Sequence, residues 1–203
     1  MQISSRRIFW LVIILALLAV YFVINRFVSG GRALALPVDK HIPLFPPAII
    51  PYLAGSVLFV AFPVWASLYA PRGRYEAYLI SFLTATIVSY IIYLALPTYV
   101  IRPEVESGDF LSRAVALLYR HDFPQNAAPS GHTFYTTISF FYFRLWQPRY
   151  WGIALIIAIM IIASTLLTKQ HYVLDVIAGL ALGIISYGLG RYAQKRWSLE
   201  FAS

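Results

Sequence analysis

Six runs of apolar residues, several of them 15–22 long, recur through a chain of 203 residues, and they decide what it can become. A helix needs about 20 apolar residues to cross a hydrocarbon core of about 30 Å. Inside that core the backbone can pair only with itself, so helices are the structure such runs can form. At 60% hydrophobic and 12% charged, with mean hydropathy +0.71, the chain is excluded from the soluble domains. The predicted fold is an all-α polytopic membrane protein, a single domain over residues 1–203. Its six transmembrane helices are expected near 8–28, 48–69, 77–96, 131–146, 151–167 and 171–192. The first follows Arg6 and Arg7 but is long for a secretory signal and lacks a small-x-small cleavage site, so it reads as a retained helix.

The net charge of +8 could suggest a nucleic-acid partner. In a membrane chain it reads instead as loop positives that set topology. With the N-terminus inside, six spans leave nine Lys and Arg in cytosolic segments and seven outside. Both termini are therefore expected in the cytoplasm of a cell (plasma or inner) membrane. The chain has no Cys, which removes disulfides, thiolate chemistry and Cys-bound metals.

Between the third and fourth runs lies a long segment, Thr98 to Ser130. Within it Phe110, Leu111, Ala114, Val115, Leu117 and Leu118 form one stripe, with Arg113 and Arg120 on the other side. This pattern predicts an amphipathic helix lying at the membrane surface, or an ordinary loop helix packed on the bundle. PRGRYE, after the second run, reads as a short basic turn. The fourth run is polar on one side, through Thr133, Thr136, Thr137 and Ser139. Gly179 and Gly183 make a G-x-x-x-G, read as helix packing only.

Ionisable residues at membrane depth mark function. In TKQHYVLD, His171 and Asp175 are four apart and on a helix would stack one turn from each other. A carboxylate on one imidazole nitrogen fixes the tautomer and leaves the other free to attack. The same pair could be packing glue. A second histidine, in Pro129-Ser130-Gly131-His132, changes the balance. With these spans, Arg102, PSGH and His171 all reach one outer membrane surface. Arg102 offers a fork suited to phosphate oxygens. Ser130 can cap a helix whose first amides, with Gly131, face an anion. His132 is placed to protonate a leaving oxygen. His171 also stands at a helix start. Together these describe an anion site with a nucleophile and an acid, and phosphate is the anion it suits.

These residues resemble the type 2 phosphatidic acid phosphatase (PAP2) superfamily, whose motifs are K-x6-R-P, P-S-G-H and S-R-x5-H-x3-D. Arg102-Pro103 matches the end of the first, Pro129 to His132 the second, and Ser164, His171 and Asp175 the third. The resemblance implies that His171 attacks phosphorus to form a phosphohistidine and that Asp175 orients it. It implies that His132 protonates the leaving alcohol and then activates the acceptor. Arg102, Ser130 and the Gly131 amide would hold the phosphoryl oxygens, with no metal and no cofactor. The substrate would be a membrane phospholipid or sphingolipid, and the acceptor water or a small alcohol.

Two positions depart from the pattern: its Lys falls on Ala95 and its second Arg on Thr165. Lys169 could replace one cation, or be a solvated loop lysine. A pocket with fewer cations suits a singly charged phosphodiester better than a dianionic monoester. HYVLDV at 171–176, DFPQNAAPSGH and IPLFPPAIIPY resemble the lipid phosphotransferase branch, which includes inositol phosphorylceramide and sphingomyelin synthases. Asp122 and Asn126 fit loop-capping bonds better than direct chemistry. A non-catalytic lipid-binding member is the competing class. A metal hydrolase on His132, His171 and Asp175 ranks lower, because no H-E-x-x-H is present.

Overall fold

The computed structural model describes residues 4–105 and 108–200, with side chains to 196. Residues 1–3, 106–107 and 201–203, which belong to the domain expected from sequence, lie outside the described residues. Seven α-helices follow in order: α1 (Ser5–Phe27), α2 (Ile49–Tyr69), α3 (Arg72–Ala95), α4 (Phe110–His121), α5 (Gly131–Trp146), α6 (Trp151–Leu167) and α7 (Val173–Glu200). Among the described residues there is no strand, only isolated bridges between loops.

Among the described residues five helices are long and apolar enough to cross a membrane: Ser5–Phe27, Pro46–Tyr69, Arg72–Ala95, Pro148–Leu167 and Val173–Arg196. The fourth run of the sequence becomes α5, whose 16 residues extend about 24 Å at 1.5 Å per residue. That is short of a full hydrocarbon core. Two boundaries differ from expectation for local reasons. PRGRYE is not a turn: Pro71 is the residue before α3, and Arg72 to Glu76 are its first helical turns. The last helix begins at Val173, not His171, because the His171 and Gln170 amides turn back to the Thr165 carbonyl.

α5 packs against α2, α3, α6 and α7, and its residues 132–139 are buried throughout. Its hydroxyl-rich face becomes intelligible there. The Thr86 hydroxyl lies 2.9 Å from the Tyr135 hydroxyl and the Ser81 hydroxyl 3.0 Å from that of Tyr142, tying α3 to α5. Such interhelical bonds contribute about 0.6 kcal/mol each, up to about 1.7. At one end of the bundle, Phe62, Trp65, Tyr78, Tyr142 and Trp146 form an aromatic cluster. Exposed Ile, Val, Leu and Phe side chains dress the outer faces of α1, α6 and α7.

Glycines set how closely α7 approaches. A Cβ on Gly179 would stand 2.8 Å from the Ser130 carbonyl oxygen, and one on Gly183 would stand 2.8 Å from Thr137 Cβ. At Gly190 a Cβ would overlap Ser81 Oγ and the Ala77 carbonyl of α3 and lie 2.7 Å from the Tyr142 hydroxyl. A backbone carbonyl cannot swing aside, so Gly190→Ala must push α3 and α7 apart. Overpacking of this kind costs about 1–3 kcal/mol, and the upper part of that range is expected. Gly188 meets nothing within 4 Å and is the control. Thermal unfolding in detergent should show Gly190→Ala well below Gly188→Ala; equal midpoints would contradict this packing.

α4 lies across the start of α2. Asp109 caps it, accepting from the Ser112 hydroxyl and from the Ser112 and Leu111 amides, and these bonds, the hydroxyl's foremost, hold its carboxyl below the usual range. Val115 is buried against Ile49 and Tyr52, while Phe110 and Leu117, seven apart, remain exposed. One edge of the apolar stripe is thus packed on the bundle and the other is open.

Candidate active site

Three loops converge at the end of the bundle where α1 and α3 finish and α5 and α7 begin. The Tyr99 amide donates to the Arg32 carbonyl and the Arg32 amide to the Pro97 carbonyl, Val100 donates to the Pro124 carbonyl, and the Ala128 amide donates to Thr98 Oγ1. Asn25, buried near the end of α1, holds the middle loop from below. Its amide donates to the Phe123 and Gln125 carbonyls and accepts from the Phe123 amide. Nothing in the sequence marked Asn25, except that a polar side chain in an apolar run needs a partner.

This scaffold brings the two histidines to one cavity of about 350 Å³. Gly131, His132 and His171 line it, with Asp122, Asn126, Ser56 and a wall of Tyr21, Tyr52, Tyr90 and Tyr93. The starts of α5 and α7 are stitched together directly, since the Ser130 amide donates to the Asp175 carbonyl at 3.0 Å.

His171 stands just ahead of α7. The expected helical stacking with Asp175 is replaced by a cap: Asp175 Oδ2 accepts the Tyr172 amide at 2.8 Å. His171 Nδ1 lies 3.7 Å from the same oxygen. The nitrogen on the Asp175 side is therefore Nδ1, and Nε2 is the one remaining. Asp175 is fully buried. A second carboxylate, that of Asp39, accepts the Val173 amide at 2.9 Å. Two carboxylates thus occupy the first amides of α7, and the positive end expected to face an anion there is already neutralised.

The start of α5 differs. Ser130 is its N-cap residue but makes no capping bond; its hydroxyl is buried without a partner. The capping role expected of Ser130 is absent, and the first amides of α5, which no helix can pair internally, carry no carboxylate. His132 is stacked on Tyr52 at 4.0 Å between ring centres, and its Nε2 lies 3.1 Å from Ser56 Oγ. Gly55 makes room for this, because a Cβ there would stand 2.9 Å from the imidazole. Tyr52 closes the IPLFPPAIIPY segment without a role legible from sequence, and Gly55 and Ser56 lie beyond any motif.

The cations are placed otherwise than expected. Arg102 donates from Nη1 to the Asp122 carbonyl at 2.6 Å and from Nη2 to the Phe123 carbonyl and Gln170 Oε1. It also lies over the Tyr119 ring. It fastens the loops of the site to one another, and only its buried Nε has no partner. The Lys169 ammonium donates to the Asp39 carbonyl at 3.0 Å. Neither Arg102 nor Lys169 is among the residues lining the cavity. Ala95 lines a separate cavity, with Arg32, Pro97 and Ala178. The Thr165 hydroxyl, fully buried, bonds the Ile162 carbonyl.

Asp122 and Asn126 do not make loop caps. Asp122 accepts from the Tyr21 and Tyr52 hydroxyls at 3.1 and 3.3 Å, and burial pushes its carboxyl upward from the usual range. Asn126 is buried, with φ +57°, and neither end of its amide has a partner. Such buried orphans are rare and costly. Thirteen are found among the described residues, and seven belong to Arg102, Asn126, Ser130, Gln170, His171 and Asp175. Their concentration here makes this end of the bundle the candidate site. Among the described residues no three His, Asp or Glu are grouped to hold a metal.

No curated protein and no solved structure matches the chain. A family model described as the PAP2 superfamily matches residues 27–189, which takes in both candidate catalytic histidines, Asp175, Arg102, helices α2 to α6 in full and most of α7. The chain is a member of the PAP2 superfamily.

Proposed function

We propose that the chain is an integral membrane enzyme that cleaves or transfers a lipid phosphoester through a phosphohistidine on His171. The carrying observation is that His171, His132 and the Gly131 backbone line one cavity, with Asp175 against His171 Nδ1. Family membership supports a phosphatase or phosphotransferase activity. In this reading His171 Nε2 attacks phosphorus and Asp175 stabilises the charge that develops on the ring. His132 gives its proton to the departing lipid or head-group oxygen, then removes one from the incoming water or alcohol. The α5 amides, with Ser130, take the developing charge on the phosphoryl oxygens. Of the Arg102 guanidinium nitrogens, Nε is the one that makes no hydrogen bond.

The cavity is lined by no Lys or Arg among the described residues, and this favours a phosphodiester lipid, with head-group transfer or release, over an ordinary phosphatidic acid phosphatase. The described residues form one transmembrane domain of a cell membrane. α5 serves as a sixth, shorter crossing, and α4 rests at the interface with Phe110 and Leu117 toward lipid. Arg6, Arg7, Arg72 and Glu76 gather at the end of the bundle opposite the histidines. That basic end faces the cytoplasm, with both termini, and the active site faces outward.

Purified protein incubated with a lipid panel in excess chelator tests this. Product should form at the rate seen without chelator. Vanadate, which becomes five-coordinate like phosphorus in flight, should inhibit strongly. Loss of turnover on chelation, restored by zinc, would sink the metal-free mechanism. Lipid binding without any product would leave the non-catalytic reading.

A further inference from the structure

At the end of α3, away from the histidines, we infer a second binding site that takes an anionic phospholipid of the surrounding bilayer, its phosphate on Arg32 and one acyl chain in a groove between α3 and α7. A cavity of about 580 Å³ opens there, and ligand sites range over about 300–1,000 Å³. It shares no lining residue with the cavity that holds His132 and His171. Ile92, Ala95 and Leu96 supply one wall from a single face of α3, and Ala178 and Leu182, four apart, supply the other from α7. Leu96 is 69% exposed at the edge of this apolar groove. Both helices are long and apolar enough to cross a membrane, so lipid chains are what lie against that edge.

Arg32 is the polar end of the groove. Its backbone is clamped: the amide donates to the Pro97 carbonyl and the carbonyl accepts the Tyr99 amide, each at 3.1 Å. Gly31 permits the clamp, since its φ is +94° and a Cβ there would overlap the Pro97 carbonyl. The side chain so positioned has no hydrogen bond or ion pair among the described residues. Arg7, Arg72, Arg102 and Lys169, by contrast, are all bonded within the protein. A guanidinium presents a fork of donors that fits two phosphate oxygens. No Asp or Glu lines this cavity among the described residues, so nothing there receives the ammonium of a zwitterionic head group. A lipid with net negative charge therefore fits better. Free phosphate would engage Arg32 and leave the apolar walls empty, whereas a diacyl lipid fills both.

Native mass spectrometry of the full chain, released from nanodiscs of equal phosphatidylglycerol and phosphatidylcholine with matched chains, reads the bound lipid directly. His171→Ala is run beside wild type, so that turnover cannot alter the count. Both should retain one phosphatidylglycerol per chain, favoured at least tenfold over phosphatidylcholine. Arg32→Gln should lower that retention at least tenfold, and Arg32→Lys should restore part of it. Ala178→Leu fills the groove, leaves Arg32 in place and should lower retention as well. Arg113, exposed on α4, lines neither cavity, and Arg113→Gln should change nothing. Equal retention of the two lipids by wild type would overturn the site. So would retention that survives both Arg32→Gln and Ala178→Leu, which would place the lipid in the histidine cavity or elsewhere. Displacement of the lipid by soluble glycerophosphoglycerol would mean an anion site without a groove, and a lipid-free dimer would mean that a second copy covers this face; either result also overturns it.

Discussion

His171→Ala should reduce turnover roughly a thousandfold or more and remove any acid-labile phosphoprotein, as loss of a covalent nucleophile does elsewhere. The fold should survive the change. His171 is only 10% exposed at its side chain, but its Nδ1 makes no hydrogen bond and the loop around it is held by backbone bonds to Thr165. Asp175→Asn separates two roles that one residue performs. An amide oxygen can still accept the Tyr172 amide, so the cap on α7 remains, while the charge beside His171 is lost. A fall of about 10²–10⁴-fold without a change in unfolding temperature is expected. His132→Ala divides the reaction differently. With an aryl phosphodiester, whose leaving group needs no proton, the first step should proceed and the second should stall for want of a base. A burst of aryl alcohol and a trapped phosphoprotein are the signature, read by rapid quench and phosphate labelling. If His171→Ala keeps more than a few per cent of turnover, the nucleophile lies elsewhere.

Much of this arrangement was legible in the chain before any coordinates, and the parts that were not have definite causes. Length and apolarity forecast the long helices, because each span must satisfy its own backbone. PSGH and H-x3-D are local in sequence, so their residues could be named. The helical stacking of His171 on Asp175 was read wrongly because the sequence does not show that Thr165 draws the 170–171 amides back and delays α7 by two residues. Ser56, Tyr52, Gly55 and Asn25 belong to helices whose periodicity is uniformly apolar. Their roles exist only through contacts with residues about 75–100 positions away. Asp122 reads as a loop carboxylate until Tyr21 and Tyr52, on two other helices, arrive at it. The cations differ in the opposite sense: Arg102 and Lys169 have the right chemistry, but what the sequence does not show is that they bond carbonyls of neighbouring loops and lie off the cavity lining.

That last point sets the largest expected difference between substrates. A phosphomonoester carries close to two charges and a diester one. A charge-assisted bond is worth about 1.5–3 kcal/mol, so a pocket missing two cations loses roughly 10²–10⁴ in affinity for the dianion. The cavity adds a carboxylate, Asp122, to that deficit. Phosphatidylinositol or phosphatidylcholine should therefore be turned over at least tenfold faster than phosphatidic acid of the same chains at neutral pH. Three variants show whether missing cations are the reason. Thr165 touches His171 through its carbonyl, so Thr165→Arg places a guanidinium beside the nucleophile and should move the ratio toward the monoester. The buried charge will lower stability, which is why the ratio is read and not the rate. Ala95 opens on another cavity, and Ala95→Lys should leave the ratio where it was. Lys169→Ala frees the Asp39 carbonyl and should slow both substrates alike, since its ammonium is engaged there. A tenfold wild-type preference for phosphatidic acid, or a Lys169→Ala loss confined to the monoester, would mean that a cation reaches the phosphate after all.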